Sequence, residues 1–394
     1  MGLIYYEKLN SFSRKYLIKG YNPSPINFIT EYDTIRREIA EMLLYYKGIS
    51  FYVFGENIPL SILINMFGVN GLESLLEQEA INFLFCKPEV MYNVDDVPGI
   101  LPLQSGGYYT SKAHCDPEES VALGLNWLRN PLHDKQKKRL IKKVISAYRI
   151  PNEDISKNSV QFGIDGYNNN LFSELGLSCE KNIYDLNRYE RSKLCHFANE
   201  CNKLAVISEF KYDTLDAFDI SKICKKEVQN LKKATHIEEN TDKLFRVENL
   251  PDFKEMIKDG VITYKEIPVL RSTNNSIKFR KWIDGLSEET CDLDVVKEYL
   301  SSIENTKGPL EKGVGKFLKT LGVYAVSCAA GEIIAGLPGA CVGSVAGKFI
   351  EPAVDLGISL LDTYLLGGIL KGWNPRHYFT QDINKMIEDA KKIN

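Results

Sequence analysis

The sequence predicts a mainly α protein with minor β structure: a multi-domain helical chain with a C-terminal glycine-rich apolar helical hairpin. Apolar residues recur at helical spacing along most of the chain, while short β-branched and aromatic runs lie near its N-terminus. The 394 residues exceed what one ordinary hydrophobic core accommodates, so the chain is expected to divide into domains. A hydrophobic fraction of 44% and a charged fraction of 26% are typical of a globular protein and exclude disorder.

The net charge and the cysteine pattern restrict the expected binding partners and the expected cellular compartment. The 49 basic and 52 acidic residues give a net charge of -3, so no overall positive field draws the chain onto nucleic acid. Glu7 and Lys8 interrupt the apolar run that a secretory signal requires. The nine scattered cysteines are typical of reduced thiols. We therefore expect a cytoplasmic protein.

Residues 1–96 are predicted to form a small unit of helices and short strands. Helical and extended patterns alternate there, at residues 35–46, 49–54, 61–67, 72–80 and 81–85. This order resembles a winged-helix unit. Such units bind proteins as well as DNA, so the resemblance assigns no function.

Residues 97–234 are predicted to form a helical domain that carries a basic helix. A first helix starts clearly, because Asp116 can cap it, Pro117 suits the first helical position and Glu119 stands three residues after the cap. The next helix carries six basic side chains around an apolar stripe: Lys135, Lys137, Lys138, Arg139, Lys142 and Lys143. These charges form a solvated face or, as the alternative, a surface that meets anionic lipid headgroups or phosphate backbones.

Polar stretches separate the remaining units. Residues 151–170 are rich in polar residues, glycine and asparagine and are predicted to be a surface connection. Further helices are predicted at residues 186–210, 220–233, 251–258, 277–283 and 287–303. A polar boundary at residues 235–242 then gives a helical connector over 235–305 and a C-terminal unit over 306–394.

The sharpest pattern is an apolar tract at residues 320–347, whose only formal charge is Glu332. About 20 apolar residues are enough for one membrane-spanning helix. A proline inside a helix costs about 3 kcal/mol, however, so one straight span is disfavoured. We predict a helical hairpin that turns at Gly336, Pro338 and Gly339.

The second arm of this hairpin holds glycines at a spacing of four residues: Gly339, Gly343 and Gly347. That spacing places them on one helix face, where another backbone can approach closely. Trp373 and Arg376 follow the apolar segment, as in a membrane-interface anchor. Residues 313–370 thus resemble the glycine-zipper hairpins of bacterial membrane-perturbing toxins and effectors. The resemblance implies membrane depolarisation or permeabilisation; the alternatives are a hairpin packed inside a soluble fold and an oligomer contact.

Arg191 and His196 are the best catalytic candidates. Their spacing on a predicted helix, with Ser192 after the arginine, resembles the RNase motif of HEPN domains. The resemblance implies that the arginine stabilises phosphate charge and that the histidine takes part in proton transfer or positioning. No GxxxxGK[ST] loop and no paired CxxC motif is present, so neither a cofactor nor a metal site is predicted.

Together these patterns favour a conditional membrane-perturbing effector, a bacterial toxin or host-defence protein, rather than an enzyme. One alternative is a HEPN-like RNase or another nucleic-acid-directed defence effector; a second is a non-enzymatic helical interaction subunit. The expected partners are an anionic membrane surface on activation, and a protein partner or a second copy of the chain. Nucleic acid is a less favoured partner.

Overall fold

The computed structural model describes residues 3–18, 24–87, 90–92, 101–106, 111–214, 218–220, 244–286, 318–324, 378–383 and 385. The described chain is mostly helical and contains a small parallel sheet, which confirms the mainly α class with minor β structure. Five strands form that sheet: β1 (Ile4–Tyr6), β2 (Ile49–Val53), β3 (Ile81–Phe85), β6 (Tyr148–Arg149) and β7 (Asp213–Thr214).

Among the described residues, two strand pairs lie outside the parallel sheet. The first is a short antiparallel pair of β4 (Val90–Tyr92) and β5 (Leu103–Ser105). The second is an antiparallel pair of β8 (Leu244–Pro251) and β9 (Leu318–Tyr324).

Ten α-helices are described. The first seven are α1 (Lys8–Ser13), α2 (Pro25–Tyr45), α3 (Ile58–Glu77), α4 (Pro117–Leu125), α5 (Asp134–Ser146), α6 (Glu153–Asn168) and α7 (Arg188–Glu209). Three more follow: α8 (Phe253–Lys258), α9 (Ile267–Ser272) and α10 (Asn274–Leu286). A π-helical segment, Tyr378–Ile383, lies near the C-terminus.

The parallel sheet separates two hydrophobic cores, because successive side chains of a strand point to opposite faces. Ile4 and Tyr6 lie in one core, which also contains residues of α2 to α5 and α8 to α10. Tyr5 lies in the other core, with residues of α6 and α7. Helices therefore cover both faces, and the strands are buried between them.

The strand order is β6-β3-β2-β1-β7. The helices that connect β1, β2, β3 and β6 all lie on the first face, so the chain moves steadily toward one edge. After β6 the chain crosses the second face through α6 and α7 and adds β7 beside β1 on the opposite side. The direction of winding thus changes between β1 and β7. In open α/β sheets this switch point is where ligands bind, outside the carboxyl ends of the strands.

The sheet extends across the predicted domain boundary between residues 96 and 97, because it combines strands from Ile4 to Thr214. Its strands are parallel, whereas the wing of a winged-helix unit is an antiparallel pair. The two apolar runs of the N-terminal region, β2 and β3, lie inside the sheet rather than at its edge. Strand β2 also pairs with β1, and β3 also pairs with β6, which comes from beyond the predicted boundary. The other predicted divisions, near residues 235 and 306, lie outside the described residues and stay predictions.

Several predicted helices are confirmed at their ends. Asp116 caps α4 by accepting a hydrogen bond from the backbone N–H of Glu118 at 2.9 Å. Asp252 caps α8 in the same way, through the backbone N–H of Glu255 at 3.1 Å. The basic helix is α5, and the predicted helices at 186–210 and 277–283 are α7 and α10. The predicted helix at 220–233, apart from Ile220, and the predicted helix at 287–303 lie outside the described residues.

The predicted surface connection at residues 151–170 is wrong, because most of it is helix α6. Its serines and glycines face inward: Ser156 and Ser159 are buried, and the hydroxyl of Ser159 donates to the carbonyl of Ile155 at 2.7 Å. A Cβ built on Gly163 would lie 3.0 Å from the Cβ of Ala198 on α7. The serines and glycines of α6, which are typical of a loop, therefore serve close packing against α7.

Helix α3 is long and apolar enough to cross a membrane by length and composition. In the most apolar stretch of α3, 67% is buried inside the protein. The backbone also departs from helical angles at Gly68. Core helices of soluble proteins meet the same criterion, so α3 is only weak support for membrane activity.

The beginning of the predicted hairpin at 313–370 is wrong for Leu318–Tyr324, because these residues form strand β9 and pair with β8. Threonine, valine and tyrosine at positions 320, 323 and 324 favour an extended chain. The residues assigned to the turn, the glycine face and the interface anchor lie outside the described residues: Gly336, Pro338, Gly339, Gly343, Gly347, Trp373 and Arg376.

Candidate metal centre at the carboxyl edge of the sheet

Helix α7 places a polar stripe beside the switch point. A capping box fixes its start, in which Asn187 and Glu190 satisfy each other's backbone N–H groups. The helix ends at Glu209, just before β7 begins, so it runs antiparallel to the strands. Its earlier turns therefore lie toward the carboxyl ends of the strands.

Residue spacing on α7 separates an apolar face from this polar stripe. The residues that pack into the second core recur at helical spacing: Leu194, Phe197, Ala198, Cys201 and Leu204. His196, Glu200 and Lys203 recur at intervals of four and three residues and so share a different face.

Glu200 is the buried centre of this stripe. Its carboxylate accepts the backbone N–H of Asp219 at 3.1 Å and that of Ile220 at 2.9 Å. These two bonds hold the chain just beyond β7 against α7. Because a carboxylate offers about four lone-pair positions, two remain for other partners.

His196, Glu200 and Asp219 bring their ligand atoms within 4.8 Å of one another, and we call these three residues the His196 cluster. His196 Nε2 lies 3.4 Å from Glu200 Oε1 and 3.8 Å from Asp219 Oδ2. Ligands about 2.1 Å from a tetrahedral ion stand about 3.4 Å apart. The cluster therefore needs only small side-chain adjustments to hold a divalent cation. Among the residues that the structure describes, it is the one group of histidine, cysteine and carboxylate side chains with this proximity.

Exposure differs sharply within the His196 cluster. The side chain of Glu200 is 8% exposed, whereas those of His196 and Asp219 are 55% and 50% exposed. One ligand is thus fixed by the protein interior, and two face solvent. A cation held this way would keep coordination positions open, as catalytic sites with three protein ligands do.

Lys203 connects this stripe to the end of β1. Its ammonium lies 2.7 Å from a carboxylate oxygen of Glu7, the residue that follows β1. Glu7 also accepts the hydroxyl of Tyr5 at 3.1 Å. Burial, with a further contribution from Glu7, raises the pKa of Tyr5 well above its ordinary value, so this hydroxyl stays protonated. The Lys203–Glu7 pair fixes α7 against β1, and the His196 cluster lies along the same helix face.

The structure places the two predicted catalytic residues in different surroundings. His196 lies in the cluster, but Arg191 donates to the backbone carbonyls of Leu186 at 2.6 Å and Tyr184 at 3.4 Å. Its guanidinium also lies over the ring of Tyr92, 4.8 Å from the centroid. Five residues on a helix correspond to a rotation of about 140°, so the two side chains leave α7 in different directions. The arginine stabilises the start of α7, and the structure does not bring it to the histidine.

The basic helix α5 divides into a paired side and an exposed side. Arg139 donates twice to Glu73, at 2.9 and 3.0 Å, and Lys143 contacts Glu77 at 2.7 Å. The hydrogen bond with Glu77 is the main cause that raises the pKa of Lys143. Lys137 donates to Asn126 at 3.3 Å. The fully outward side consists of Lys135, Lys138 and Lys142, which are exposed at helical spacing.

The cysteines near His196 belong to the core rather than to the cluster. Cys201 is fully buried, and Cys195 packs against the second core. Burial raises the pKa of the Cys195 thiol to about 11, so this sulfur is protonated at neutral pH. A protonated core thiol is a poor metal ligand, and the described donors of the cluster are one imidazole and two carboxylates.

Sequence reasoning found His196 but missed its partners. The spacing of four residues between His196 and Glu200 was a usable signal, because such residues are neighbours on a helix. Asp219 carried no signal, because it reaches the cluster only through the crossover that adds β7 beside β1. Comparison with known proteins finds no match: no family model, no curated protein and no solved structure matches the chain. The fold and the cluster together define the class: a mainly helical protein whose helices cover both faces of a small parallel sheet, with three side chains beside its switch point that could hold a metal ion.

Proposed function

We propose that the α/β body binds a divalent cation at the His196 cluster, where the cation would activate water for hydrolysis of a phosphate ester bond in a ligand at the switch point. The observation that carries this proposal is the convergence of an imidazole and two carboxylates beyond the carboxyl end of β7. A cation held here would have some coordination positions occupied by protein side chains and others open to water or a ligand. Cation-bound water loses a proton far more readily than bulk water and becomes a nucleophile near neutral pH.

The donor set favours zinc or manganese. Imidazole nitrogen suits zinc and other transition metals, carboxylate oxygen suits manganese and magnesium, and the cluster combines both. Magnesium prefers six oxygen ligands, so a histidine makes it the poorer choice. Lys203 lies on the same face of α7 as the cluster and pairs with Glu7 beyond β1, so this pair can orient a ligand bound to the cation.

Cation binding is tested with purified full-length chain after removal of metal by a chelator. Titration calorimetry with Zn²⁺ and Mn²⁺ is expected to give one site per chain, and thermal unfolding is expected to shift upward by several degrees. Stabilisation of about 2.7 kcal/mol follows when the free ion reaches 100 times its dissociation constant. His196→Ala and Asp219→Asn alter half-exposed side chains, so both variants should fold and lose the site.

His133→Ala is the matched control, because His133 is an exposed histidine just before another helix, α5, and lies outside the cluster. It should bind the ion like the wild type. Equal binding by the wild type and His196→Ala would contradict the proposed site. Activity is then measured with bis(p-nitrophenyl) phosphate, p-nitrophenyl phosphate and RNA, each with and without the ion. Ion-dependent RNA cleavage that His196→Ala abolishes would favour the nuclease alternative.

We propose, as a second function, that the glycine-rich tract perturbs a membrane when it is released from the body. One structural observation favours it: the described segments on both sides of 325–377 each have a partner elsewhere in the chain. Leu318–Tyr324 pairs with β8, and Tyr378–Ile383 is docked in the first hydrophobic core. Attachment of both flanking segments is what this proposal needs for a tract that is released conditionally.

Leakage of dye from anionic liposomes tests this second function. The wild type, once activated, is expected to release dye, and Gly343→Leu should reduce leakage because a large side chain prevents close helix contact. Ser344→Leu, one position along the chain and on another side of the predicted helix, is the control. Equal leakage by the wild type and Gly343→Leu, or none from either, would remove the support for membrane perturbation. The exposed lysines of α5 are the expected contact with anionic lipid.

A further inference from the structure

Three buried aromatic rings form a recess on the first face of the sheet. Tyr45 of α2 lies 5.1 Å from Phe253 of α8 and 6.2 Å from Phe279 of α10, measured between ring centroids. All three side chains are essentially inaccessible to solvent. We call these three rings the aromatic recess.

The segment Tyr378–Ile383 fills the aromatic recess. The ring of Tyr378 stacks on Phe279 at 4.9 Å and lies 6.4 Å from Phe253. Tyr378 is fully buried, and Ile383 at the other end of the segment is 1% exposed. A segment distant in sequence therefore completes the core instead of only covering it.

Directional hydrogen bonds fix the same segment at its polar edge. The hydroxyl of Thr273, at the end of α9, donates to Asp382 at 2.7 Å. The side-chain amide of Asn275, at the start of α10, donates to Asp382 at 3.3 Å and to Gln381 at 3.2 Å. The buried ring of Tyr378 and the hydrogen bonds to Asp382 together fix the segment in one position.

We propose that Tyr378–Ile383 is an intramolecular latch, a peptide ligand of the aromatic recess whose docking holds the C-terminal side of residues 325–377 on the α/β body. The recess recognises a tyrosine followed four residues later by an aspartate. This proposal goes beyond the cation site and is independent of it. If the latch is displaced, the pairing of β9 with β8 is the described attachment that remains, and it lies before residue 325.

A synthetic peptide tests the latch in trans. The peptide spans residues 375–386 with a fluorescent label, and its binding to full-length chains is measured by anisotropy. A tethered segment competes at an effective concentration in the millimolar range, so the wild type should bind the free peptide weakly. Tyr378→Ala empties the recess, so this variant should bind the peptide at least about a hundredfold more tightly than the wild type does.

Two altered peptides are the controls, one with Tyr378→Ala and one with Asp382→Ala, and both should bind the emptied recess more weakly. Circular dichroism and thermal unfolding establish that the Tyr378→Ala chain is folded. If that folded chain binds the peptide no better than the wild type does, the latch is overturned.

Hydrogen–deuterium exchange gives a second test that does not require Tyr378→Ala to fold. Asp382→Ala removes the acceptor of Thr273 and Asn275 at a partly exposed position. The amides of residues 378–383 should be protected in the wild type and exchange at least about tenfold faster in Asp382→Ala. Unprotected amides in the wild type, or equal rates in both proteins, would contradict the latch.

Vesicle flotation separates the latch from membrane perturbation. If the Tyr378→Ala chain binds the peptide but does not float with anionic vesicles, the latch holds and the membrane proposal fails. If it floats and the wild type does not, the latch controls the membrane-active tract.

Discussion

Gly124→Ala is expected to destabilise the α/β body by about 2–4 kcal/mol, although alanine normally favours a helix by up to about 1 kcal/mol over glycine. A Cβ built at position 124 would lie 2.3 Å from the carbonyl oxygen of Asn57 and 2.6 Å from its carbonyl carbon. Both atoms belong to the backbone, so no flexible side chain can move aside. Helix α4 and the turn after β2 would have to separate.

Several buried hydrogen bonds depend on this close approach. Ser61 donates to the carbonyl of Gly124 at 2.7 Å, and the backbone N–H of Asn57 donates to Ser120 at 2.9 Å. Asn57 also caps α3 through Leu60 and donates to the hydroxyl of Tyr148 at 2.8 Å. Separation would leave buried polar groups without partners, at about 1–3 kcal/mol each.

Urea unfolding followed by circular dichroism measures this effect. Ala122→Gly in the same helix is the matched control, because it changes helix propensity without a close contact and should cost only about 1 kcal/mol. A Gly124→Ala chain as stable as the wild type would show that α4 does not pack on the β2–α3 turn as described.

Glu200→Gln is expected to lower cation affinity at least about a hundredfold, because it removes the buried anionic ligand and keeps the shape of the side chain. The amide of glutamine also places a donor opposite the N–H groups of Asp219 and Ile220, which now donate to the carboxylate. The loop beyond β7 should loosen as a result, at a cost of about 1–3 kcal/mol in unfolding free energy.

Titration calorimetry and urea unfolding measure the two effects separately. Glu209→Gln is the matched control, since Glu209 lies exposed at the far end of α7, away from the cluster. It should leave cation affinity unchanged. Unchanged affinity in Glu200→Gln would remove Glu200 from the set of ligands.

Local patterns predicted the helices well and the sheet poorly. The start of α4 was readable because Asp116, Pro117 and Glu119 follow capping rules that act over a few residues. The strands are two to five residues long in the parallel sheet, and their partners lie far away in sequence. No local pattern could reveal that Ile4 pairs with both Ile49 and Asp213. The change of winding direction, and the candidate site beside it, follow from those distant pairings.

Composition also misled in both directions. The serines and glycines of α6 imitate a loop because they serve close packing against α7. Residues 318–324 lie within the predicted helical hairpin, yet they pair as a strand. In both cases tertiary contacts decided the backbone conformation, and local composition did not.

Anomalous diffraction from a crystal of the full-length chain grown with Zn²⁺ tests the cation site most directly. The site at the end of β7 predicts a single strong peak about 2.0–2.2 Å from a ring nitrogen of His196 and from carboxylate oxygens of Glu200 and Asp219. An anomalous map with no peak between these three side chains, at an ion concentration that saturates calorimetric binding, would contradict it.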